Sequence, residues 1–307
     1  MTMISLIVPC FNEAENIPSL VTNIKNVFEN SKYSNEYELI LINDASKDNS
    51  EDVMKNYTNE TKHFSYINLK SNYGKATALD VGILNSKGDI ICIMDGDLQY
   101  DPLDIIKMID MIKSENVDLI NGRRTNRKDK KNIKFFSELY NKVISFITGS
   151  KIKDHFSGIK IFKKKIYQNS DYGGIARFMV LIANKFNFKI LEIDVNHFLR
   201  NKGKSAYNFF DRIILSLKDI FCIIFCIVFS KENLYQFKQL TLVILIFFIF
   251  LILVFLKFDY NLKIISIPLV VIILIAIFNY LVENFMKKKV NDKNTEVILS
   301  FIKNISK

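Results

Sequence analysis

Apolar residues in the first hundred positions fall in short blocks, each closed by polar residues, with helix-period stretches between them. Ile4-Ser5-Leu6-Ile7-Val8-Pro9 opens the series, and proline, which has no N–H to donate, is expected to stop that strand. A second block, Glu38-Leu39-Ile40-Leu41-Ile42, closes in Asn43-Asp44-Ala45-Ser46-Lys47-Asp48. A third, Ile90-Ile91-Cys92-Ile93-Met94, closes in Asp95-Gly96-Asp97. Between them Asn72-Tyr73-Gly74-Lys75-Ala76 precedes an amphipathic stretch to Gly82, and Asp101-Pro102 places a capping carboxylate ahead of a proline at the first helical position. Strands that end in polar loops and alternate with helices predict a parallel sheet with its site at the strands' carboxyl ends.

The third block is the most informative. Alternate side chains of an extended chain share a face, so Asp95 and Asp97 can converge on one hard cation while Gly96 admits a ligand close to the backbone. A calcium EF-hand loop would need Gly at Tyr100 and Glu at Ile106, and Gly74-Lys75 lacks the upstream Gly and following Ser/Thr of a phosphate-binding P-loop. Taken alone, the pair leaves two readings open, a metal site and a solvated strand end leading into a helix.

Hydropathy changes character in the second half. Residues 240–256 carry no charge and only Thr241 as a polar residue, and residues 264–282 are also uncharged. Each is close to the length that crosses a hydrocarbon core, the linker 257–263 is short, and neither has a polar face for water, so the two predict a transmembrane hairpin. Lys231, Lys238 and Lys287-Lys288-Lys289 flank it, against Lys257 and Lys263 in the linker, which favours both ends in the cytoplasm. Before it, residues 208–230 place Asp211, Arg212, Ser216, Lys218 and Asp219 on one helical arc and Ile213, Ile214, Leu217, Ile220 and Phe221 on the other, the pattern of an interfacial helix. The expected organisation is an α/β domain over 1–207, juxtamembrane helices over 208–238, the hairpin over 239–283 and a basic tail over 284–307.

A net charge of +10 calls for an anionic partner, and beside a membrane hairpin an anionic lipid accounts for it better than nucleic acid. Cys10 and Cys92 fall in strands, and Cys222 and Cys226 lie one turn apart in an apolar stretch; all four are expected as reduced packing residues. The initial apolar run lacks a basic leader and stops at Pro9, so no signal peptide is expected.

Taken in order, Val8-Pro9-x-Phe11-Asn12-Glu13, Asn43-Asp44-x-Ser46-x-Asp48, Asn72-x-Gly74-Lys75, Asp95-Gly96-Asp97-Leu98-Gln99-x-Asp101-Pro102, Gly122-Arg123, Ser157-Gly158-Ile159-Lys160, Ala176-Arg177-Phe178 and Arg200-x-x-Gly203-x-Ser205-x-Tyr207 resemble a family 2 glycosyltransferase with the Rossmann-like α/β fold termed GT-A. The likeness is to the dolichol-phosphate mannose synthase and bactoprenol glucosyltransferase branch. It implies a metal-dependent, inverting transfer of a sugar from a UDP- or GDP-linked donor to a polyprenyl phosphate at the cytoplasmic face of the plasma membrane. A homo-oligomer is compatible with it.

On the same resemblance Asp97 is the first metal ligand, with Gln99 second and Asp95 direct or through water, for Mg2+ or Mn2+. Pro9, Phe11, Glu13, Ile42, Asp44, Lys75 and Gly96 join the two carboxylates around the donor, Asp44 accepting from a base N–H. Arg123, Arg127, Ser157, Lys160, Arg200, Lys204, Ser205 and Tyr207 surround the acceptor phosphate, with Arg123 and Arg200 as catalytic cations. A phosphate monoester is already anionic and needs no side-chain base; a sugar hydroxyl would need one, and Asp154 is the evident candidate. Asn43 stands where Asp is commoner, Lys160 where Arg is usual, and Ala206 where Lys is usual. Lys130, Lys131, Lys163, Lys164 and Lys165 are expected as solvated surface charges, and His155 and His197 in structural roles.

Overall fold

Each apolar block becomes a buried strand, and each helix-period stretch lays its apolar side on the resulting sheet. In chain order the elements are β1 (Ile4–Cys10), α1 (Ile17–Glu29), β2 (Tyr37–Asn43), α2 (Ser50–Glu60), β3 (Phe64–Asn68), α3 (Lys75–Asn85), β4 (Ile90–Ile93), α4 (Pro102–Ser114), β5 (Leu119–Thr125), α5 (Lys131–Thr148), β6 (Lys160–Lys163), α6 (Lys164–Gln168), α7 (Met179–Lys185) and β7 (Ile190–Asn196). This computed structural model describes residues 2–60, 63–125, 131–168 and 176–199, all within a unit that spans Met1–Cys222. The expected interfacial helix, transmembrane hairpin and tail lie outside the described residues, among which no helix is long and apolar enough to cross a membrane.

The seven strands form one sheet in the order β3-β2-β1-β4-β6-β5-β7. Alternate residues send side chains to opposite faces, which separates two cores. Leu6, Val8, Leu39, Leu41, Cys92 and Ile120 meet Leu20, Ile24 and Phe28 of α1 and Ile105, Met108 and Ile109 of α4. On the other face Ile7, Ile40, Ile42, Ile91, Ile93 and Phe162 meet Ala78, Leu79 and Ile83 of α3 and Met179, Val180 and Ala183 of α7. Cys10 and Cys92 are buried free thiols within this packing, as expected. The carboxyl of Asp101 accepts from the Leu103 N–H at 2.9 Å and starts α4 at Pro102.

Two expectations are corrected. The sheet is mixed, because β6 runs antiparallel to both β4 and β5 while the remaining pairs are parallel. The chain enters β6 from the loop 149–159, which lies at the carboxyl end of β4, so β6 has only the downward direction left to it. Pro9 does not stop β1, which continues to Cys10 in register with Asn43 of β2. The β4 ladder has already ended at Ile7, so on that side the missing N–H of Pro9 has no ladder partner to lose.

The crossover from β5 to β6 is held by an ion pair whose carboxylate, Asp154, is buried and whose guanidinium, Arg124, is partly buried. Arg124 donates through Nε to Oδ2 of Asp154 at 2.7 Å and through a terminal nitrogen to Oδ1 at 2.8 Å, and its backbone N–H also reaches Oδ2. Glu192 of β7 accepts from the N–H groups of Lys153 and Asp154, and Asn121 donates to the Asp154 carbonyl at 2.9 Å. Burial alone would raise the Asp154 pKa, but the hydrogen bonds and charge of Arg124 hold it at about 2.

A carboxylate held below its unfolded value stabilises fully above that value, and its contribution is lost as pH falls toward the folded one. Asp154→Asn is therefore expected to cost about 3–5 kcal/mol near neutral pH, because it leaves Arg124 without its carboxylate. Urea unfolding of wild type and variant in detergent should show that gap narrowing from about pH 4 toward pH 2. A gap that does not change with pH would contradict the assignment.

Candidate active site

The loops that leave β1 and β2 are cross-linked. The Asn12 N–H donates to Ser46 Oγ at 2.9 Å and Asn12 Oδ1 accepts from the Lys47 N–H at 2.7 Å. Asp48 accepts from the Ala14 N–H and from both the N–H and hydroxyl of Ser50. Asn12 and Ala45 both hold positive φ, 56° and 53°, a conformation that costs a non-glycine residue about 1–2 kcal/mol and persists only where neighbours enforce it. Asn43 is buried, accepts from the Ser46 N–H and donates to Asn68 at 2.7 Å, so its side chain shapes the loop.

Pro9 and Phe11 stand half-buried at the strand ends. Glu13 is buried at the start of α1, where its carboxylate accepts from the Asn16 side chain and its N–H donates to Ser50 Oγ at 3.0 Å. Asp44 is buried, and its two oxygens accept from the Tyr73 and Gly74 N–H groups at 2.8 and 2.9 Å. Burial raises its pKa against the pull of those two bonds. A base N–H would therefore have to share an oxygen with the turn that starts α3. Ile42 departs from expectation: its side chain is fully buried in the core beneath α3 and does not line the open strand ends.

At the end of β4, Asp95 and Asp97 are both partly exposed, and Leu98 between Asp97 and Gln99 holds φ at 61°. The Lys75 ammonium, at the first position of α3, is bonded to Oδ1 of Asp95. A cation in the first turn of a helix opposes the helix dipole, so its place is set by the carboxylate. A Cβ on Gly158 would lie 2.3 Å from Oδ2 of Asp95 and 2.9 Å from the Tyr100 ring. The absent side chain is thus the space in which the Asp95 carboxylate sits. At Gly96 a Cβ would press on Cys10 Sγ at 3.2 Å and Val8 Cγ1 at 3.3 Å, so its smallness also serves the packing of β1.

Tyr100 holds the loop from below, its hydroxyl accepting from the Gly158 N–H at 2.7 Å and lying 3.5 Å from Ser157 Oγ. The Tyr100 ring meets His197 edge-on, at 5.3 Å between centroids. Gln99 is tied to the end of β7, its side-chain amide donating to the Phe198 carbonyl at 3.1 Å and its own carbonyl accepting from the Phe198 N–H at 2.9 Å. Tyr100, Arg124 and Phe198 were not singled out from the sequence. The signal for Tyr100 was its place inside the Asp95–Pro102 block, whereas the other two depend on strand pairing.

The cations divide. Arg123 grips Asp194 on the neighbouring strand through two bonds of 2.5 and 2.8 Å, with its side chain one-third exposed. Lys160 is buried and donates to the Ser157 carbonyl, and burial followed by the Lys75 charge pushes its pKa down to about 7. Ser157 is buried as well, so Lys160 and Ser157 brace the loop beneath Asp95 and do not stand on an open acceptor face. Lys163 and Lys164 are half-buried and bond Asp118 at 3.1 Å and the Ser86 carbonyl at 2.6 Å, in place of the expected solvated roles, while Lys165 is an exposed surface charge, as expected, that also reaches Asp118 at 2.8 Å. His155 is buried against Ser145 and His197 against Tyr100, in keeping with structural roles. Arg127, Arg200, Lys204, Ser205 and Tyr207 lie outside the described residues.

The donor set suits a hard divalent cation. Two carboxylates, both partly exposed, stand two residues apart at one strand end, and the Lys75 ammonium is already drawn onto one of them. Among the described residues no third His, Cys, Asp or Glu joins them, so further ligands would be Gln99, water or the phosphate oxygens of a substrate. Asp154 cannot act as the base that a hydroxyl acceptor would need. Its oxygens are taken by Arg124 and its pKa of about 2 leaves little proton affinity at neutral pH.

Comparison with known proteins agrees with this geometry. Residues 5–170 match Glycosyl transferase family 2. An undecaprenyl-phosphate 4-deoxy-4-formamido-L-arabinose transferase of Proteus mirabilis is 30% identical over 222 residues, 72% of this chain and 67% of the relative. Its counterpart in Photorhabdus laumondii matches with the same identity and coverage. Among solved structures, glucosyl-3-phosphoglycerate synthase of Mycobacterium tuberculosis, in complex with Mn2+, UDP and glucosyl-3-phosphoglycerate, superposes with a TM-score of 0.56 over 73% of this chain and 79% of that one, at 15% identity. That likeness is one of fold, the GT-A-like arrangement of a mixed sheet between two helix layers. The chain belongs to glycosyl transferase family 2 and is a glycosyltransferase.

Proposed function

We propose that the protein transfers a sugar, with inversion, from a nucleoside diphosphate donor to a polyprenyl phosphate. The observation that carries the acceptor class is the similarity, at 30% identity over 222 residues, to transferases named for undecaprenyl phosphate. The engagement of Asp154 by Arg124 supports it, because a phosphate monoester needs no base and a sugar hydroxyl does.

In this reading the loops after β1 and β2, with Pro9, Phe11, Glu13 and Asp44, hold the nucleoside, and Lys75, Asp95 and Asp97 face the diphosphate. Asp95 and Asp97, with Gln99, are the residues to hold Mg2+ or Mn2+, which would neutralise the diphosphate as its bond to the sugar breaks. Lys75 is placed to leave Asp95 for a phosphate oxygen. Arg123 and the cations at Arg127, Arg200 and Lys204, with Ser205 and Tyr207, orient the lipid phosphate for in-line attack on the anomeric carbon. Residues 240–256 and 264–282 anchor the enzyme in the plasma membrane, with the catalytic unit on the cytoplasmic face.

Two outcomes test the reading. Asp97→Asn, which removes a charge and keeps the volume, should lower transfer on the order of a hundredfold or more while leaving the unfolding midpoint in place. Wild-type rates in Asp97→Asn, or after exhaustive chelation, would contradict the role of the pair. With a panel of labelled UDP- and GDP-sugars, polyprenyl phosphate should accept sugar and polyprenol should not. Equal turnover of the two lipids would overturn the acceptor assignment.

A further inference from the structure

Lys75 holds a place that little except Asp95 recommends. It is the first residue of α3, at the positive end of the helix dipole. The first turn of α3 carries no acidic residue, and its N-cap, Gly74, has no side chain to accept from the N–H groups there. Lys160, buried under the neighbouring loop, is a second cation within range: burial, and after it the Lys75 charge, pushes the Lys160 pKa down to about 7. Against these repulsions stands the bond from the Lys75 ammonium to Oδ1 of Asp95.

That bond takes up the outer side of Asp95. Oδ2 is turned in against Gly158, into the space that a side chain at 158 would fill, which leaves Oδ1 facing outward with Lys75 on it. The two side chains are 43% and 29% exposed, so the pair can part without unpacking the core. A divalent ion that takes Oδ1 must displace the ammonium. The start of α3 and Lys75 then face the new charge with their own counter-charge gone. A diphosphate arriving by itself meets the opposite difficulty, since it approaches Asp95 and Asp97. Together the two ligands leave neither sign in excess: the ion takes the carboxylates, and Lys75 with the first turn of α3 turns to phosphate oxygens.

We infer that Lys75 is a built-in counter-ion that couples the two ligands: it competes with a free divalent ion for Asp95 and passes to the diphosphate when ion and nucleotide arrive together. The inference rests on the reading of Asp95 and Asp97 as a divalent-cation site. It adds to that reading a residue that makes the site poor for either ligand alone and good for both, a coupling that the affinity of each ligand reports equally.

The test uses the full chain in detergent and follows Mn2+ by electron paramagnetic resonance, alone and with saturating UDP or GDP. Lys75→Met keeps an unbranched stem and removes the charge. It should bind Mn2+ alone about three- to tenfold more tightly than wild type, the range expected for removing one exposed competing cation. The direction is informative, because damage to the fold would weaken Mn2+ binding. Lys75→Arg keeps the charge and should show no tightening. Unchanged or weaker Mn2+ binding in Lys75→Met, with wild type still binding Mn2+ and nucleotide together, overturns the inference and leaves the metal site standing. Equal tightening in Lys75→Arg overturns it as well.

A second measurement reads the coupling from the other side. Equilibrium dialysis of labelled UDP and GDP, with and without Mn2+, gives the factor by which the ion tightens the nucleotide. That factor should be smaller in Lys75→Met than in wild type, by about the same three- to tenfold or more. Equal factors in the two proteins overturn the inference. If wild type takes up no Mn2+ with either nucleotide, the metal site itself fails and the inference fails with it.

Discussion

The space left by the absent side chain of Gly158 is the constraint on which the candidate site depends. Asp95 can stand at the end of β4 with its carboxylate turned inward only because nothing projects from residue 158, where a Cβ would come within 2.3 Å of Oδ2. Keeping that backbone in place takes the rest of this half of the fold. Tyr100 accepts from the Gly158 N–H, Lys160 bonds the Ser157 carbonyl, and the Arg124–Asp154 pair with Glu192 pins the start of the loop to β5 and β7. The reversed direction of β6 follows from the same requirement, since the strand must begin beside Asp95. Structure and site are therefore a single problem here: the polar groups buried in the crossover are satisfied by one another, and the carboxylates are set at its edge.

Charge in the catalytic unit is sorted more finely than its net value suggests. Arg123, Arg124, Lys163 and Lys165 each face an acid on a neighbouring element, and Lys160 is turned to a carbonyl. Lys75 is the cation set directly on a site carboxylate. It sits where a helix dipole disfavours it, which marks a place whose electrostatics serve a ligand more than the helix. The positive φ values at Asn12, Ala45 and Leu98 fall in the loops after β1, β2 and β4, while Asn116 and Asn187 hold the same conformation in the turns before β5 and β7.

What the sequence made legible was local. Alternation of apolar blocks and helical stretches sufficed for β1, β2 and β4, and a carboxylate before a proline sufficed for the start of α4, because each depends on neighbours a few residues away. The placement of Asp95 and Asp97 at a strand end was legible for the same reason. The reversal of β6 was not, since a four-residue strand that begins with lysine carries no sign of its direction. Nor was the burial of Lys160, the core position of Ile42 or the partnership of Arg124 with Asp154, all of which are set by elements far along the chain. Gly158 stood in the sequence only as part of the Ser157–Lys160 motif, and its physical role emerged only with Asp95 beside it.

The central claim is that Asp95 and Asp97, with Gly158 behind them, form a divalent-cation site completed by a nucleoside diphosphate. Electron paramagnetic resonance titration of Mn2+ into the purified protein, with and without UDP or GDP, tests it without any turnover. The account predicts Mn2+ binding that tightens with one of the nucleotides. It also predicts weakening on the order of ten- to a hundredfold in Gly158→Ala, which displaces the Asp95 carboxylate, and a larger loss in Asp97→Asn. Mn2+ affinity equal in wild type and both variants, with the nucleotide present, would contradict it.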